Sequence, residues 1–211
     1  MENLERIIAE KLLKIKAVKL QPTHPFTWAS GWKSPIYCDN RKTLSYPEIR
    51  NTIKVELARL INENFSETTA IAGVATGGIP QGALVADYLG LPFVYVRSAP
   101  KDHGLENLIE GELKPGSKVA IIEDLVSTGG SSLKAVQAIR NFGCEVTGML
   151  AIFTHGFTVS EKQFKEAGVP LIALSNYNAV IEEAARINYI TEADIAILQE
   201  WRKDPANWLP K

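Results

Sequence analysis

The sequence predicts an α/β fold, a parallel sheet flanked by helices, and three observations point there. Its strand-like runs, such as TAIAGVA (69–75), KVAIIEDL (118–125) and EVTGMLAIFT (145–154), are nearly continuously apolar. Strands buried on both faces read that way, whereas half-exposed strands alternate. Helical segments separate these runs one by one, as expected of parallel strands joined by crossovers. The chain has 211 residues, enough for one sizeable core with a small appendage.

Each element follows from local chemistry. Residues 2–18 carry Leu4, Ile7, Ile8, Leu12, Leu13 and Ile15 at roughly helical spacing, so one helix is expected. The stretch 20–47 is rich in Pro, Gly, Ser and aromatics and has no helical period; irregular structure with short strands is expected. Pro47 suits the first turn of a helix capped near Ser45 or Tyr46, with Ile49, Ile53, Leu57 and Leu60 facing inward. A strand over 69–75, a Gly-rich turn and helix over 76–90, and a strand over 92–97 come next. Residues 98–117 are polar and full of breakers. The strand at 118–125 leads into a helix over 129–143 that Gly143 closes. Another strand (145–154), a helix (158–168) and a strand (170–175) complete the alternation. Two helices are expected over 178–208, the second starting at Thr191 before Glu192 and Asp194.

Bulk properties exclude several classes. Hydrophobic residues make up 45% and charged residues 22%, the balance of an ordinary soluble globular protein. A net charge of -1 gives no electrostatic footprint for nucleic acid or a membrane surface. No apolar run is long enough to span a bilayer, and the N-terminus lacks the pattern of a signal peptide. Cys38 and Cys144 stand far apart, as free thiols in a reducing cytoplasm would. His24, His103 and His155 show no zinc spacing.

The most informative stretch is VAIIEDLVSTGGSS (119–132). Two acids, Glu123 and Asp124, end an apolar strand. A hydroxyl- and glycine-rich loop then opens a helix. In an open parallel sheet ligands bind beyond the carboxyl ends of the strands. Backbone N–H groups converging at the helix start suit an anion. Gly129 and Gly130 allow close approach, and Ser127, Thr128, Ser131 and Ser132 offer hydroxyl donors. Neither the GxxxxGK[ST] nor the GxGxxG nucleotide pattern is present. Carboxylates repel phosphate but accept hydrogen bonds from sugar hydroxyls or hold a hydrated cation. Acids beside a phosphate cradle therefore suggest a sugar phosphate. The plainer alternative is an N-capping turn with two solvated acids.

This stretch resembles the phosphoribosyl-diphosphate motif of type I phosphoribosyltransferases, in which the acid pair contacts ribose hydroxyls and the loop binds the 5-phosphate. A second segment, VYVRSAPKDHG (94–104), carries Arg97, Lys101 and His103 into a long polar loop, with cations suited to a leaving diphosphate. It resembles the catalytic loop of the orotate phosphoribosyltransferase family, with Ser98 where that family often has lysine. A third, FTWASGWKSPIYCDNR (26–41), resembles the family's SGxxSP hood over the base, with Ala29 where many relatives carry lysine. A Trp/Tyr packing cluster would also explain it. A fourth, GVATGGIPQGALVA (73–86), resembles the diphosphate loop, with relatives often placing lysine near Gly77; a helix start alone would also explain it.

The resemblance implies a type I phosphoribosyltransferase core with a small N-terminal hood: helix and hood over 1–45, core over 46–175, and C-terminal helices over 176–211 packing on core or hood. Its implied catalytic residues are Lys101, Arg97, His103 and Asp124. For phosphoribosyl diphosphate it implies Arg97, Lys101, His103, Glu123, Asp124, Leu125, Val126, Ser127, Thr128, Gly129, Gly130, Ser131, Thr76 and Gly77. For orotate it implies Ser127, Lys33, Tyr37 and His155. The cofactor implied is Mg2+, held by the substrate's oxygens and water rather than by direct side-chain ligation. A cytoplasmic homodimer with the loop acting in trans is expected. Two rivals remain open from the residues alone. A purine-type phosphoribosyltransferase would share the acid motif but lack the hood and the lysine loop. A non-catalytic sensor of phosphoribosyl diphosphate would have less use for the lysine loop.

Overall fold

The structure is a computed structural model and describes residues 2–28, 30–99 and 108–209. The chain divides into two compact units, Met1–Thr43 with Ser175–Lys211, and Leu44–Leu174.

The first unit opens with α1 (Glu2–Lys14), which is shorter than the helix expected over 2–18. The reason is a Schellman turn. Lys16 takes a left-handed φ of 55°, its N–H donates to the Leu13 carbonyl, and the Ala17 N–H donates to that of Leu12. A lysine gives no sequence signal for this stop, and the chain turns at once into β1 (Val18–Leu20). Short strands follow: β2 (Phe26–Thr27), β3 (Lys33–Ser34) and β4 (Ile36–Cys38). They pair antiparallel as β1–β4 and β2–β3.

In the second unit, α2 (Pro47–Asn64) starts on extended Tyr46 with Pro47 in its first turn and buries Ile49, Ile53, Leu57 and Leu60. Then come β5 (Ala70–Val74), α3 (Gly78–Leu89), β6 (Phe93–Val96), β7 (Ile109–Glu110), β8 (Lys118–Val126), α4 (Gly130–Asn141), β9 (Glu145–Thr154), α5 (Thr158–Glu166) and β10 (Leu171–Asn176). The sheet order is β10-β9-β8-β5-β6-β7. β5 pairs parallel with β6 and β8, and β8 parallel with β9. The core is the middle of this sheet: Ile121, Ile122, Met149, Leu150 and Phe153 are all fully buried. That is why these strands read as continuous apolar runs. The departure from an all-parallel sheet is β7, which runs antiparallel to β6.

The chain closes with α6 (Tyr177–Arg186) and α7 (Glu192–Lys203). α7 starts at Thr191 with a complete capping box: Thr191 and Asp194 each accept from the other's backbone N–H. No helix among the described residues is long and apolar enough to cross a membrane.

Candidate active site

β5 and β8 are adjacent and parallel, so their carboxyl ends and the turns that follow them lie side by side. The contact between those turns is intimate. A Cβ on Gly78 would overlap the Ile122 carbonyl, and one on Gly77 would overlap the Asp124 carboxylate. Glycine at 77 is thus a requirement of close approach to the acid at the tip of β8.

Glu123 and Asp124 differ sharply in setting. Glu123 is only 4% exposed. Its Oε1 accepts the Asp124 backbone N–H at 3.1 Å, and its Oε2 accepts the Ser132 hydroxyl at 3.0 Å. Burial pushes the Glu123 carboxyl up to about 8, with the Asp124 charge adding to the shift. Asp124 is half-buried. Of the two acids it is the one with surface to offer a sugar hydroxyl. Glu123 is engaged inward, tying the strand end to the first turn of α4.

That first turn has the geometry expected of an anion cradle. Gly129 takes a φ of 89°, and α4 begins with no side-chain cap. Its leading N–H groups are therefore left without intrahelical carbonyls, at the positive end of the helix dipole. Ser127 is half-buried, while Thr128, Gly130 and Ser131 are exposed. Leu125 and Val126 continue β8, and the Val126 carbonyl accepts the His155 N–H at 3.0 Å. Thr76 is exposed in the neighbouring turn, beside half-buried Gly77.

Arg97 follows β6, and its N–H donates to the Leu108 carbonyl at 2.8 Å, beside the β6–β7 ladder. Its guanidinium lies 3.6 Å from the Glu110 carboxylate. Glu110 has no counterpart among the residues singled out from sequence; only the pairing of β7 brings it to Arg97. Lys101 and His103 lie outside the described residues.

In the first unit, Lys33 and Tyr37 are exposed, and the Lys33 ammonium donates to Thr27 Oγ1 at 2.7 Å. Tyr37 stands 5.5 Å from the Phe26 ring. His155 sits differently. It is 1% exposed, stacked on Phe157 and edge-on to Phe153 with centroids 5.3 and 5.2 Å away. This is a packed position with little face to present to a ligand.

A mostly parallel sheet with acids and an uncapped helix start at one strand tip has the chemistry to receive a sugar phosphate. Residues 46–186 match the phosphoribosyl transferase domain. Orotate phosphoribosyltransferase of Bacteroides thetaiotaomicron is 71% identical over 208 residues, covering 99% of this chain and 98% of that one. The Porphyromonas gingivalis orotate phosphoribosyltransferase is 67% identical, covering 99% of each chain. Among solved structures, orotate phosphoribosyltransferase from Aeropyrum pernix superimposes with a TM-score of 0.76 at 27% identity, over 87% of this chain and 99% of that one. The chain belongs to the orotate phosphoribosyltransferase family.

Proposed function

We propose that this chain transfers a ribose 5-phosphate group from phosphoribosyl diphosphate to orotate in pyrimidine biosynthesis, with Asp124 and the 127–131 loop as the sugar-phosphate cradle. The bond from the anomeric carbon to diphosphate breaks, and its electron pair leaves with diphosphate. A bond from that carbon to an orotate ring nitrogen forms and the proton on that nitrogen is released to water or diphosphate, giving orotidine 5′-phosphate. One observation carries the assignment of the cradle: half-buried Asp124 abuts the glycine turn at 77 on one side, and Glu123 beside it ties the strand end to the first turn of α4. Ribose hydroxyls donate to Asp124, and the 5-phosphate accepts from the amides at the start of α4.

Arg97, Lys101 and His103 serve the diphosphate, whose charge grows as the bond breaks. Lys33 faces the orotate carboxylate electrostatically, Tyr37 offers a ring to the base, and Ser127 offers a hydroxyl. The site requires positioning and charge stabilisation rather than a nucleophilic side chain. Mg2+ fits this chemistry, since the phosphate and hydroxyl oxygens of the substrate and water are the hard ligands it prefers. When bound, the ion neutralises charge on the leaving diphosphate. The active form is a homodimer in which the loop of one subunit serves its partner's site. Cys38 and Cys144 form no disulfide, which suits a cytoplasmic setting.

Incubation with phosphoribosyl diphosphate, Mg2+ and a panel of orotate, uracil and adenine tests this reading. Orotidine 5′-phosphate and diphosphate should form in equal amounts, with orotate far preferred. Conversion of adenine, or binding of phosphoribosyl diphosphate without turnover of any base, would contradict it.

A further inference from the structure

The segment from Lys33 to Tyr37 alternates between two exposed side chains at its ends and a buried interior of Ser34, Pro35 and Ile36. Its backbone is clamped by two indoles. Trp28 Nε1 donates to the Ile36 carbonyl at 3.0 Å, and Trp201 Nε1 donates to the Lys33 carbonyl at 3.0 Å. Ser34 Oγ closes the interior, donating to the Ile36 carbonyl and accepting the Ile36 N–H. The two indoles meet edge to face, with centroids 5.7 Å apart. Trp201 comes from α7, far along the chain, and is fully buried. It also packs on Tyr177, whose hydroxyl donates to the Leu198 carbonyl at 2.9 Å and so braces α7.

We propose that Trp201 is a positioning residue for base recognition: its indole N–H fixes the Lys33 backbone and thereby the place from which the Lys33 ammonium and the Tyr37 ring meet orotate. The inference rests on the assignment of Lys33 to the orotate carboxylate. A carbonyl left without its donor lets the backbone at 33 shift, and a charge addressed to one carboxylate loses its aim. α7 then contributes to the base site through the Lys33 backbone.

Trp201→Phe keeps an aromatic ring and removes the donor. Loss of one buried hydrogen bond predicts a rise in the orotate KM of roughly three- to tenfold, while the KM for phosphoribosyl diphosphate stays within about twofold of wild type. Tyr177→Phe removes a brace of α7 of similar strength. It should lower the melting temperature comparably and leave the orotate KM unchanged. In Lys33→Ala, which should itself raise the orotate KM, adding Trp201→Phe should raise it little further. Should Trp201→Phe not fold, Trp28→Phe is measured in the same way at the other end of the clamp. An equal rise in both substrates' KM, an equal orotate effect in Tyr177→Phe, or full additivity with Lys33→Ala overturns the inference. An unchanged orotate KM in Lys33→Ala alone overturns the base assignment beneath it, and the inference falls with that assignment.

Discussion

The phosphate cradle and the Lys33–Tyr37 segment are built by opposite rules. The cradle is local: Glu123, Asp124, Gly129 and Ser132 fall within one short stretch, and strand end, left-handed glycine and helix start set its geometry. The second region is held partly from afar: Trp28 is a near neighbour in the chain, but Trp201 reaches the Lys33 carbonyl from α7. Where the backbone itself supplies the donors, a short motif encodes the site. Where a side chain must be aimed, the aiming residues can lie anywhere that packing brings them.

The largest expected effect breaks the comparison at a third place, the loop. Lys101→Ala should lower kcat on the order of a hundredfold or more, with little change in either KM, because its charge matters most as diphosphate departs. Steady-state kinetics checks this. Mixing Lys101→Ala subunits with Asp124→Asn subunits then separates cis from trans. In trans, each mixed dimer holds one site with both defects and one with neither, and activity returns toward half of wild type. No recovery, with subunit exchange verified, ends the shared-site proposal and leaves the reaction untouched.

Next in size is the cradle. Asp124→Asn replaces a charged acceptor with a neutral one, a loss of about 1.5–3 kcal/mol or roughly ten- to a hundredfold in the KM for phosphoribosyl diphosphate. The orotate KM should barely move. Lys33→Ala should do the reverse and less strongly. The lysine is exposed, and water screens it, so a change of about 1 kcal/mol or roughly fivefold in the orotate KM is expected. Uracil, lacking the carboxylate, should feel less of it.

The last effect is on stability rather than on activity. The Glu123 carboxyl is raised from 4.5 to about 8 by burial and by Asp124. Between those values the folded chain keeps a proton that the unfolded chain has released, so stability falls as pH rises through the window and levels off above it. Glu123→Gln removes that titration. Its unfolding free energy should be flatter from pH 5 to 8 than that of wild type (a pH range of roughly the same window). Denaturant melts across the range provide the check, and an unchanged slope would assign the pH dependence to other groups.

Much of the fold was legible because double-sided burial leaves a plain mark. The apolar runs over 69–75, 92–97, 118–125 and 145–154 all fall on strands of one sheet. The start of α7 was equally clear, since Thr191 and Asp194 form the cap by adjacent residues. The end of α1 was hidden because Lys16, a residue with no turn preference, takes the left-handed position. The acid pair was readable as a pair, but its division was not. Which carboxyl turns inward depends on Ser132 and on sheet packing around Glu123. Trp201 was not legible at all as a functional residue. A tryptophan in an amphipathic helix reads as core, and only the fold shows that its N–H reaches the Lys33 carbonyl.

The proposed function divides the labour, with sugar phosphate read at the tip of β8 and the base read from Lys33. Calorimetric titration of magnesium phosphoribosyl diphosphate, with no base present, tests it most directly. Wild type and Lys33→Ala should bind with the same affinity, and Asp124→Asn should bind at least about tenfold more weakly. Equal affinity in wild type and Asp124→Asn, or a comparable loss in Lys33→Ala, would contradict it.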